Sequence, residues 1–117
     1  VDLETIIADL GRMPEPDRKA DRTIAYALGV QEKAGPTGVY WVIGEKNFTR
    51  IPAFTSSVDA AIIAAEAVGP VDMIGVTVGR NVTHRAILNN GDYCEGATPA
   101  IALCIAALRQ LSARGKQ

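Results

Sequence analysis

A chain of 117 residues is long enough to enclose one hydrophobic core without disulfides or a metal, and it reads as a single domain over 1–117. Hydrophobic residues make up 48% of it but aromatic ones only 5%, so the core has to be assembled from Ala, Ile, Val and Leu. A net charge of −1 supplies no overall field for drawing in nucleic acid or an anionic membrane, so neither DNA nor a membrane is expected as a partner.

The opening Val1-Asp2-Leu3-Glu4 is acidic and lacks the basic region and apolar run of a secretory signal. The longest nearly uncharged apolar stretch, Ala97 to Leu108, falls short of the roughly twenty residues a bilayer needs. A soluble protein of the cytoplasm is expected. Leu3, Ile6, Ile7 and Leu10 recur at helical spacing and predict a first helix ending at Gly11. Pro14 and Pro16 break the chain, and Asp17 to Leu28 predicts a second helix closing at Gly29.

Gln31 to Gly38 shows no periodicity and contains Gly35, Pro36 and Gly38, which predicts a loop. Val39 to Ile43 and Phe48 to Ile51 then read as a hairpin around Gly44 to Asn47, limited by Pro52. A third helix is predicted over Val58–Val68, started by a Ser56/Asp59 capping box. Ile74 to Val78 alternates apolar residues with Gly and Thr and predicts a second hairpin with Val82 to Leu88, followed by turn chemistry at Asn89 to Asp92. Thr98-Pro99 opens a last helix, a hydroxyl cap before a proline at the first helical position, with the apolar stripe Ile101, Cys104, Ile105, Leu108 and Leu111. The order helix, helix, hairpin, helix, hairpin, helix argues against a doubly wound sheet. It points to an α+β fold in which one antiparallel sheet of about four strands is packed by helices, an α-β-α sandwich-like arrangement.

Three segments resemble a known family. They are Pro16-Asp17-Arg18-Lys19-Ala20-Asp21-Arg22-Thr23-Ile24-Ala25, then Ile51-Pro52-Ala53-Phe54-Thr55-Ser56-Ser57-Val58-Asp59-Ala60-Ala61, then Ala97-Thr98-Pro99-Ala100-Ile101-Ala102-Leu103-Cys104-Ile105-Ala106-Ala107-Leu108-Arg109. In this order they resemble the small phage and prophage proteins of the phage ABA-sandwich domain family. The resemblance implies the fold class and a viral setting, hence the cytoplasm of a host cell. It implies no active site, because the motifs read as helix starts and packing faces. Val71 to Tyr93 lies outside it.

The chemistry-bearing residues are sparse. His84 is the only histidine, and no Ser or Cys stands beside it with an orienting carboxylate, so no catalytic residues are assigned and an enzyme is not expected. Cys94 and Cys104, ten positions apart, match neither a zinc spacing nor a secreted disulfide framework and read as ordinary thiols. Asp92 and Glu95, and Asp17 and Asp21, are paired carboxylates that read as solvated residues rather than metal ligands. No Gly-rich phosphate loop of the P-loop or dinucleotide type is present, and no cofactor or metal is expected.

Arg80, His84 and Arg85 share the second hairpin and could face an anion, with Tyr93 as a stacking surface. Adjacent residues on a strand point to opposite faces, so His84 and Arg85 meet one ligand only through a bulge or a second subunit; otherwise they are solvated cations. Tyr40 and Trp41 raise the same alternation, one ring inward and one outward, with Arg50 across the hairpin as a nearby cation. The resulting expectation is a non-enzymatic phage protein that binds and sequesters a small anionic, nucleotide-derived host defence signal. The alternative is a protein–protein interaction module without a small ligand. Because helices three and four read as apolar all round, a homo-oligomer is expected as well.

Overall fold

The computed structural model describes residues 2–79 and 83–115. Among them are four helices, α1 (Leu3–Arg12), α2 (Arg18–Ala27), α3 (Val58–Val68) and α4 (Pro99–Gly115). Six strands accompany them, β1 (Gln31–Gly35), β2 (Gly38–Ile43), β3 (Lys46–Phe48), β4 (Ile74–Val76), β5 (His84–Leu88) and β6 (Cys94–Gly96). No helix is long and apolar enough to cross a membrane among the described residues.

The helix boundaries follow local chemistry. Asp2 caps α1 by accepting from the Thr5 N–H at 2.8 Å, a bond that favours the ionised carboxylate and holds it below its ordinary pKa. Asp17 caps α2 through Lys19 N–H at 2.9 Å. At the other end of α2, Gly29 has φ +83°, and Val30 N–H and Gly29 N–H return to the carbonyls of Ala25 and Tyr26 at 3.0 and 3.1 Å. Those paired bonds need a left-handed residue, which is why a glycine stands there. The cap of α3 is Ser57, accepting from Ala60 N–H at 3.2 Å, and not the Ser56/Asp59 pair expected from the sequence.

The α+β class holds, but the single sheet of about four strands does not. The strands form two separate three-stranded antiparallel sheets, β1-β2-β3 and β4-β5-β6. Two short elements account for the difference. Gln31 to Ala34, expected as a loop, pairs with β2 although all four residues are exposed, so burial imprints no alternation on them. The three residues of β6 are too few to display a period.

A helix also occupies the middle of the fold where a sheet was expected. Helix α4 packs against α3, α1, β5 and β6, and every residue from Ala100 to Leu108 is buried. Its apolar circumference is thus covered within the chain and does not itself call for a second copy. Alanine and other small residues make this possible, because Ala60, Ala61, Ala64 and Ala65 of α3 let the two helix backbones approach. The same closeness recurs at Gly96, where a Cβ would lie 2.8 Å from the backbone nitrogen of Ala102, so β6 can lie on α4 only without a side chain there.

Candidate functional site

Segments 16–25, 51–61 and 97–109 meet in space. Asp21 of α2 is 1% exposed, and one of its carboxylate oxygens accepts from both the N–H and the hydroxyl of Thr55, at 2.8 and 2.7 Å. The other accepts from Nη1 of Arg18 at 2.8 Å. Arg18 also donates Nη2 to the carbonyl of Ile51 at 2.9 Å. The Thr55 hydroxyl accepts from Asp17 N–H at 3.0 Å, and the Thr55 carbonyl accepts from the hydroxyl of Thr98 at 3.2 Å. Thr98 is at the same time the cap of α4, accepting from Ile101 N–H at 3.1 Å. Further along α4, the Cys104 thiol donates to the carbonyl of Phe54 at 3.3 Å.

Asp21 was expected to be solvated, and its burial is a correction. A carboxylate removed from water needs a partner for each oxygen, and Thr55 and Arg18 provide them. With both oxygens engaged and the side chain 1% exposed, the carboxylate is not presented to a substrate. The cluster is a joint that fastens α2, the 51–57 segment and α4 to one another. Sequence reasoning identified Thr98 as a cap but missed Thr55, because a threonine inside a turn carries no periodic signal of burial.

Beside this joint the surface opens into a cleft of about 470 Å³, walled by Arg18 and by the chain from Phe48 to Ala53. Arg50 is exposed on it and makes no hydrogen bond or ion pair with another described residue. Phe48 is half-buried, paired across the strands with Trp41, and both rings rest on the core. Of the two neighbouring aromatics, Trp41 is therefore the inward one. Tyr40 lies on the opposite face of β2, across from Lys33. The cleft thus holds a free guanidinium, a guanidinium fixed by two bonds, and an aromatic residue. That set can orient an anion attached to a planar group.

The remaining candidates lie on the other sheet. Arg85 stands opposite Glu95 and is paired with it at 3.1 Å, both side chains being more than half exposed. Glu95 places a negative charge where an anion would have to sit. His84 is half-buried and lies on the strand face that carries buried Ala86 and Leu88, the face turned to α4, while Arg85 takes the solvent face. Tyr93 is 65% exposed just before β6. Arg80 lies outside the described residues. The structure therefore does not gather the seven candidates, since Arg50, Tyr40 and Trp41 belong with the first sheet and His84, Arg85 and Tyr93 with the second.

The thiols are the remaining reactive groups. Burial raises the pKa of Cys94, against a smaller opposing effect of the Arg109 guanidinium, and burial pushes that of Cys104 far up, so both are held as neutral thiols. No group of three or more His, Cys, Asp or Glu residues is placed to hold a metal among the described residues. No family model, curated protein or solved structure matches the chain.

Proposed function

We propose that this chain is a non-enzymatic binding protein for a small anionic, nucleotide-like ligand, taken up in the cleft between the start of α2 and the segment that follows β3. The observation that supports this reading is the unpaired Arg50 on the same wall as Arg18 and Phe48. The cleft is wide open to solvent, so it suits a ligand held by its charged end and one face rather than enclosed. The resemblance to small phage proteins gives such capture a purpose, withholding a nucleotide-derived defence signal in an infected cell.

Calorimetric titration of mono-, di- and cyclic nucleotides tests the proposal. Charge-assisted bonds to phosphate contribute about 1.5–3 kcal/mol, so Arg50→Ala is expected to weaken binding at least about tenfold. Its melting temperature should stay unchanged, because an exposed unpaired arginine does little for folding. Absence of binding to any nucleotide by the folded wild type would remove this reading. A second reading, a protein-binding module, draws on the solvent face of β4-β5-β6, where half-buried Ile87 is flanked by Met73 and Tyr93, 50% and 65% exposed.

A further inference from the structure

The cleft also carries information about how much charge its ligand bears, and this rests on the reading just given. Two of its wall residues are cationic and none is anionic, but the two cations are not equivalent. Arg18 is joined to Asp21, a carboxylate that is almost wholly buried and whose charge has no other cation bonded to it. The Arg18 charge is accordingly cancelled at close range. A guanidinium has five N–H groups, and Arg18 commits one to Asp21 and one to the Ile51 carbonyl. What it retains for a ligand is directional hydrogen bonding without net charge. Arg50 has no such counterion, and it supplies the single uncompensated positive charge of the cleft.

We infer that the ligand class of this cleft is a phosphodiester bearing one negative charge next to a planar base, as in a cyclic nucleotide, and not a polyphosphate. A phosphodiester presents two non-bridging oxygens that share one charge, which suits one free guanidinium and one neutralised donor set side by side. The volume of about 470 Å³ leaves room for the attached sugar and base next to Phe48. No other residue of the cleft wall is cationic, so further phosphates would reach out of it into solvent, where their charges add little to affinity.

The test is a calorimetric series on the full chain at one fixed ionic strength, using adenosine, adenosine 3′,5′-cyclic monophosphate and adenosine 5′-triphosphate, repeated with the guanine compounds. The cyclic nucleotide is expected to bind at least about tenfold more tightly than its nucleoside, the effect of one charge-assisted contact. The triphosphate should fall within about threefold of the cyclic nucleotide, since no second cation is engaged. In Arg50→Ala the gap between nucleoside and cyclic nucleotide should close. A triphosphate bound about tenfold or more tightly than the cyclic nucleotide would overturn the inference and leave the anion-binding reading standing. A gap that survives Arg50→Ala would overturn it too, by placing the phosphate elsewhere. Silence across the whole series, with the protein folded, would overturn both.

Discussion

The two three-stranded sheets are of similar size and held in different ways. Sheet β4-β5-β6 lies on α4, and its inner residues Ala86, Leu88 and Cys94 are buried. Sheet β1-β2-β3 touches the core only at one end, through Ile43, Trp41 and Phe48, while Gln31 to Ala34 and Val39 stand in solvent. A two-stranded ribbon in water is marginal by itself, so the outer part of β1-β2 depends on its attachment. The firmly backed sheet and the proposed site are therefore different parts of the molecule. Backing by α4 fixes the second sheet, and the cleft with its free arginine opens at the root of the first, next to the Asp21-Thr55-Thr98 joint.

Substitution can break this contrast. Leu88→Ala removes a 1% exposed side chain from the face that meets α4 and is expected to cost about 3 kcal/mol in chemical denaturation. Val39→Ala, on the free part of the hairpin, should stay within about 0.5 kcal/mol. Equal losses at the two sites would show that the hairpin is as firmly held as the second sheet.

A smaller effect concerns Cys104, at the joint. Its pKa is raised in the folded state, so the sign is fixed: the folded chain keeps the proton at alkaline pH while the unfolded thiol loses it. The contribution is fully present below the unfolded pKa of about 8.5 and declines above it, amounting to about 2 kcal/mol lost by about pH 10. Unfolding free energies across that range should fall less steeply for Cys104→Ala than for wild type. Parallel slopes would mean that the thiol ionises in place. Smaller than the Cys104 effect is that of Thr98→Ala, which deletes the α4 cap and the bond to Thr55 and is expected to lower stability by about 1 kcal/mol without changing nucleotide affinity. Lost affinity with unchanged stability would make Thr98 part of the site instead.

How far the sequence discloses this architecture depends on burial. Helix α3 is found over the residues expected for it, Val58–Val68, and Thr98 caps α4 as read, because both signals are local: a small-residue apolar run and a hydroxyl ahead of proline. Strand β1 was hidden because Gln31, Glu32 and Lys33 are solvated on both faces, and pairing leaves no mark on a residue that buries nothing. The burial of Asp21 is illegible for the opposite reason. A charged residue on a polar helix looks solvated until a distant threonine, 34 positions away, is brought against it. Within the proposed site, Arg50 is legible in the sequence as a cation on the first hairpin, but its neighbour Arg18 is not, since only tertiary folding sets α2 beside the end of β3.

Because the first sheet and the second each offer an arginine and an aromatic residue, the decisive measurement is one that locates the ligand. Amide chemical-shift mapping by NMR, with a cyclic nucleotide titrated into the nitrogen-15-labelled chain, reports on both sheets in one experiment. The perturbed amides are expected to cluster at Arg18 and at 48–53, excepting Pro52, which has no amide proton, with those of 84–88 and 93–96 unmoved. Perturbations centred on Arg85, Glu95 and Tyr93 would contradict this placement.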